Sequence, residues 1–245
     1  MYAARDLREL GWEVFIAQRK NASAAFAAVL RHWEHYQAPK SERAAVDRDL
    51  GSYPLRGVIS ASDMVSELNE WAGCLAQAGD ASEEDIALWT THVSELTTNG
   101  FQHGKSQLPA GRKLGPVLLA GSAGRRVGGA QLAVLDTGSG IPAVLRPHLG
   151  ANFATSHDGK VIAEACRSGV TSRCEKSNQG VGLFSLSKAV KNTDGSLQIV
   201  SGNGMAHISH GRMYSKVLAP HPTQHQVLSG TLTVITLKGS KRRPG

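Results

Sequence analysis

Three short stretches of this chain carry residues whose types and spacing suit chemistry. In Leu135-Asp136-Thr137-Gly138-Ser139-Gly140-Ile141-Pro142, a carboxylate follows a strand-like run, residues 131–135, and precedes two glycines and a proline. Glycine reaches positive φ and lets a ligand approach the backbone, while Pro142 fixes φ as the chain leaves. An acid at a strand end before so pliable a backbone suits recognition of a flat polar ring, although the same pattern also makes a plain turn. Upstream, Glu95, Asn99 and His103 recur every four residues and so project from nearly one side of a helix. Downstream, Gly180-Val181-Gly182-Leu183 opens a helix, and Ser229-Gly230-Thr231 begins a closing strand.

The elements that must hold these residues are legible from periodicity and punctuation. Residues 1–52 read as a helical N-terminal extension, whose Trp12, Phe15, Phe26 and Trp33 are packing residues by ordinary burial preference. A short strand over 55–59 follows. Ser60 or Ser62 then caps a helix with Met64, Leu68, Trp71 and Leu75 on one stripe. Ser82-Glu83-Glu84-Asp85 has the form of a capping box and opens the helix that carries Glu95, with Ile86, Trp89, Val93 and Leu96 on its buried face. Strands are expected at 117–120 and 130–135, the second delivering Asp136. Residues 143–179 read as irregular apart from a helix near 161–166. A helix through Val190, a strand over 196–201, a hairpin of 205–209 with 212–218 turning at His210-Gly211, and a strand over 232–238 complete the order.

The 245 residues allow one large domain with an appendage. No apolar run approaches a membrane span and the N-terminus lacks a signal-peptide core, so a cytoplasmic location is the default. Cys74, Cys166 and Cys174 are odd in number and lack metal-site spacing, which favours free thiols. The net charge of +7 is concentrated in short runs such as Arg125-Arg126 and the tail over 239–245. No aromatic platform accompanies those runs, which argues against a nucleic-acid partner.

Taken together, Glu-x-x-x-Asn on a helix, Asp-x-Gly-x-Gly-Ile-Pro after a strand, Gly-x-Gly-Leu at a helix start and Gly-Thr in a closing strand resemble the boxes of the GHKL, or Bergerat-fold, ATPases. That superfamily includes gyrase, Hsp90, histidine kinases and MutL. The resemblance implies a two-layer α/β sandwich over 53–238, a mixed and mostly antiparallel sheet with helices on one face. It further implies ATP and Mg²⁺ as ligands. Asp136 would accept from the adenine amino group, with Gly138, Gly140 and Ile141 around the base and Thr231 supporting both through a water. Asn99 would hold Mg²⁺ together with phosphate oxygens and waters. Gly180, Val181, Gly182 and Leu183 would present a helix N-terminus to the phosphates. Residues 143–179 would be the ATP lid, with Lys176, Ser177, Asn178 and Gln179 as candidate phosphate contacts.

Glu95 separates branches of that superfamily. Sensor histidine kinases commonly have asparagine there, whereas the carboxylate is similar to hydrolytic ATPases and to anti-sigma-factor serine kinases. Set four residues before the metal ligand, it would act as general base on a water or a serine hydroxyl. The implied activity is slow ATP hydrolysis with the nucleotide state read by a protein partner or homodimer. Two alternatives remain at this level, an anti-sigma-type serine/threonine kinase and a non-catalytic nucleotide-gated module. His32 and His35 lack a phosphoacceptor context, so a complete two-component sensor is not expected.

Overall fold

Alternation along the strands explains the architecture. Leu132 and Val134, Ile199 and Leu197, Ala206 and Ile208, and Thr233 and Ile235 are buried, while Ala133, Leu135, Val200, Leu232 and Val234 between them are only half-buried. A sheet with this period has one covered face and one more open face. The computed structural model describes residues 52–58, 61–78, 82–104, 117–124, 129–136, 138–170, 182–192, 195–218 and 228–237. Among them, the elements run β1 (Ser52–Val58), α1 (Ala61–Ala78), α2 (Glu83–Gly104), β2 (Val117–Gly124) and β3 (Gly129–Asp136). They continue as α3 (Ile141–Leu145), α4 (Asp158–Ala165), α5 (Gly182–Asn192), β4 (Ser196–Gly202), β5 (Gly204–Ser209), β6 (Arg212–Val217) and β7 (Leu228–Leu237).

The strands form one seven-stranded sheet in the order β1-β2-β3-β7-β4-β5-β6. Every described pairing is antiparallel, so the parallel component of the expected mixed sheet is not seen among the described residues. The molecule is thus an α/β structure built on an antiparallel sheet. Registers place successive rows on the covered face. Leu119, Val134, Thr233, Ile199 and Ala206 make one row, and Leu132, Ile235, Leu197 and Ile208 make the next.

The helices cover that face through apolar stripes. Trp71 and Leu68 of α1 and Trp89, Val93 and Leu96 of α2 join the strand residues in one core, with Met64 and Ile86 packed against it. The start of α2 is the expected capping box, since the Asp85 N–H donates to Ser82 Oγ at 3.1 Å and the Ser82 N–H reaches back to Asp85 at 3.4 Å. The hairpin turn is also as expected. His210 and Gly211 have φ of 48° and 72°, the paired positive values of a two-residue type I′ turn.

The stretch expected to be irregular from residue 143 is instead folded through residue 170. It contains α3, two short 3₁₀ turns and α4, whose Val161 and Ile162 are both fully buried. Arg146 fixes the connection: it donates to the carbonyls of Phe153 and Ser156 at 2.7 and 2.6 Å and pairs with Asp158. Asp158 in turn accepts from the Asn203 N–H at 2.9 Å, tying the start of α4 to the β4–β5 turn. Two glycines permit the closest approach. A Cβ on Gly204 would overlap the backbone of Gly159 and lie 2.7 Å from the Asp158 Cβ, and one on Gly159 would lie 2.9 Å from the Met205 carbonyl. The extension over 1–52 has only its last residue described, and the tail over 239–245 lies outside the described residues.

Candidate functional site

One row of the covered face breaks the apolar pattern, and it is the row at the end of β3. Val117 pairs with Asp136, Asp136 with Thr231, Thr231 with Ser201, and Ser201 with Gly204. Directly opposed residues in antiparallel strands share a face. A carboxylate and two hydroxyls therefore lie side by side beneath the helices, where the neighbouring row is apolar except for the single hydroxyl of Thr233.

Asp136 is partly buried. Burial pushes its carboxyl group up to about 6 from an ordinary 3.8, against hydrogen bonds from the Gly138 N–H and from the hydroxyl and N–H of Thr231 that pull it down. The bond from the Gly138 N–H to Asp136 Oδ1 is 2.9 Å and closes a tight turn at the end of the strand. Gly140 continues that turn at φ 83°, where an L side chain is strained, and a Cβ there would stand 2.6 Å from Ser201 Oγ. The Ile141 N–H donates to the same Ser201 Oγ at 2.9 Å. The loop from Gly138 to Ile141 is thus held at one end by Asp136 and at the other by Ser201.

Helix α2 lies directly over this row. A Cβ on Gly100 would come within 3.1 Å of Val117 Cγ2 and 3.3 Å of the Asp136 Cβ, so the absence of a side chain lets the helix settle onto the strand ends. Asn99, the neighbour of Gly100, is half-buried, and Glu95 one turn earlier is exposed. Glu95 meets the first residue of α5: a Cβ on Gly182 would overlap its carboxylate and lie 2.6 Å from Cγ. Leu183 packs its partly buried side chain against both hydrophobic clusters, anchoring the first turn of α5. The structure thereby joins Asp136, Gly138, Gly140, Ile141 and Thr231 in one network, and brings Glu95 against Gly182, with α2 connecting the two groups through Gly100 and Glu95. Lys176, Ser177, Asn178, Gln179, Gly180 and Val181 lie outside the described residues, as does the His103 side chain.

Among the described residues, no three His, Cys, Asp or Glu side chains gather as a metal cage. The neutral oxygen of Asn99 suits a magnesium ion that keeps its waters and arrives with phosphates, the usual mode for this cation, and does not suit a metal held by the protein alone. Cys166 is free and buried, and burial pushes its thiol up to about 12, so it is no nucleophile at neutral pH.

Sequence reasoning missed Ser201 as a site residue. Its signal was the inward register of β4: Leu197, Ile199 and Ser201 occupy successive inward positions, and the serine ends an apolar series. His92 on α2 is also buried, with Nε2 lacking a partner among the described residues and its imidazole held below the ordinary range by desolvation. His92 lies three and seven residues before Glu95 and Asn99, on the same side of the helix. No helix among the described residues is long and apolar enough to cross a membrane. No protein-family model matches this chain, and no curated protein is significantly similar to it.

Proposed function

We propose that this chain is a nucleotide-binding domain of the Bergerat, or GHKL, type that binds Mg²⁺-ATP and hydrolyses it slowly, its nucleotide state being read by a protein partner or a second copy. The observation that carries this reading is the convergence on one end of the sheet: a partly buried carboxylate, set in a glycine turn beneath α2, the helix that also carries Asn99 and sets Glu95 against the first residue of α5.

Each group has a task that its chemistry fits. Asp136, ionised at neutral pH, accepts the amino hydrogen of adenine and repels the carbonyl that guanine carries at the same position. Gly140 lets the turn close onto Ser201 and Gly230, which fixes the loop that follows the carboxylate. The start of α5 directs backbone N–H groups and the positive end of its dipole toward the phosphates. Asn99 would hold Mg²⁺, which when bound neutralises phosphate charge. Glu95, which is exposed, would take a proton from an attacking hydroxyl, worth about 10² to 10⁴ in rate. The rest of the rate enhancement comes from positioning and charge, as in phosphoryl transfer generally.

The test is ATP affinity together with phosphate release for the wild type, Asp136→Asn and Glu95→Gln. ATP binding by the wild type, its loss in Asp136→Asn, and retained binding with release slowed at least about 100-fold in Glu95→Gln are expected. Equal ATP affinity for wild type and Asp136→Asn overturns the nucleotide reading. Unchanged release in Glu95→Gln removes the general base and leaves a nucleotide-gated module. Labelled γ-phosphate recovered on a partner protein converts the hydrolase into a kinase, for which an exposed Glu95 is equally suited.

A further inference from the structure

We infer that Ser201 is a positioning residue of the nucleotide site, acting through Thr231 to fix the polarity of the hydrogen bonds that Asp136 receives. This inference rests on the nucleotide-binding reading above and adds to it a residue on a different strand, sixty-five positions from the carboxylate it serves.

Each hydroxyl of the cluster has a single hydrogen to give. Ser201 is fully buried and Thr231 nearly so, at 7% exposed, so water does not supply missing partners. Ser201 Oγ has three neighbours: the Ile141 N–H at 2.9 Å, the Gly230 carbonyl at 2.9 Å and Thr231 Oγ1 at 3.2 Å. The first can only donate to it. The second can only accept from it. Thr231 gives its own hydroxyl hydrogen to Asp136, so it can meet Ser201 only as an acceptor, and the single hydroxyl hydrogen of Ser201 is shared between the Gly230 carbonyl and Thr231 Oγ1. Without the Ser201 hydroxyl, Thr231 Oγ1 loses the donor that keeps its own hydrogen turned toward Asp136, and the buried Gly230 carbonyl loses its hydroxyl partner.

The Ile141 N–H is what holds Ser201 in this orientation. It belongs to the loop that starts at Asp136, so the same serine reads the loop and sets the threonine. Gly140 leaves the room: a Cβ there would stand 2.6 Å from Ser201 Oγ and push the hydroxyl off both partners. The three side chains form a single relay, Ser201 to Thr231 to Asp136, laid across β4, β7 and β3 by register alone.

The experiment is a double-mutant cycle on ATP affinity with Ser201→Ala, Thr231→Val and the pair, alongside wild type and Asp136→Asn, with thermal unfolding to confirm that each variant is folded. Ser201→Ala is expected to weaken ATP binding about tenfold in the wild-type background. Because it acts through Thr231, it should weaken binding by less than about threefold once Thr231 is valine. Ser201→Cys, similar in size but a weak donor and acceptor, should lose as much as alanine and serves in its place if the alanine variant does not fold. Losses that multiply in the double variant would assign Ser201 to the fold alone and overturn the inference. So would wild-type ATP affinity in Ser201→Cys. A wild type that binds no ATP, or an Asp136→Asn variant that binds normally, defeats the nucleotide reading itself and this inference with it.

Discussion

Replacing Asp136 by asparagine should make the protein more stable at neutral pH, by an amount that depends on pH in a defined way. Burial holds the Asp136 carboxyl near 6 in the folded chain, against an ordinary 3.8. A carboxylate raised on folding binds a proton more tightly in the native state than in the unfolded one. The native state is therefore favoured below pH 4, and that advantage drains away as pH rises through 4 to 6. The displacement corresponds to about 3 kcal/mol, lost in full above about pH 6.5. Asparagine has the same shape and no charge to desolvate, so its stability is flat across this window. Its amide can accept from Gly138 or Thr231 only with the oxygen, and the nitrogen then faces a donor. That mismatch costs about 1 kcal/mol and leaves a net gain of about 1 to 3 kcal/mol at pH 7.5. Urea unfolding of both proteins from pH 4 to 8 in one buffer system reads this directly, because the other carboxylates titrate equally in both and cancel in the difference. A difference that is the same at pH 4 and pH 8 would refute the argument, since it would mean that no charge is being desolvated at Asp136. The same substitution should abolish ATP binding, so stability and function would move in opposite directions, as expected where a site holds a group at a cost to the fold.

Two glycines offer further tests. Gly204→Ala should lower stability by at least about 2 kcal/mol, seen as a fall in Tm of several degrees, because the added Cβ meets the rigid backbone of Gly159 and neither strand nor helix can retreat. Gly182→Ala should leave Tm within a few degrees, since the overlapping group is the exposed, rotatable Glu95 side chain, yet slow phosphate release by displacing that carboxylate. A large loss of stability in Gly182→Ala would show that Glu95 is held rigidly in the fold.

The parts of the fold that were legible in the sequence are those specified locally. The stripe of Trp89, Val93 and Leu96, the capping box at Ser82 and the positive-φ turn at His210-Gly211 each lie within a few residues of chain, and each is present. What was not legible depends on register or on tertiary burial. The relation of Ser201 to Asp136 exists only because β7 pairs with both β3 and β4. Helix α4 was underread because its eight residues begin Asp158-Gly159 and bury Val161 and Ile162 on adjacent positions, which leaves no clear helical period. Its stability comes from contact with β5 and β6 and from the Arg146–Asp158 pair, neither of which a sequence window contains. Asp136 and its glycines stood out as a turn with a carboxylate. Their placement beneath Gly100 and beside Thr231 was a matter of packing.

The position of β7 bears on how the chain assembles as it is made. It is the last described strand in the sequence and yet sits between β3 and β4, in the middle of the sheet. Until it emerges, the hairpin partners on either side exist as separate half-sheets, each with an inner edge of unpaired backbone groups open to foreign strands. The strand that joins the halves also carries Thr231 to Asp136, so the polar row is completed only when the sheet closes. A chain ending before residue 228 is expected to expose two sticky edges and to lack the Thr231 that stands beside Asp136.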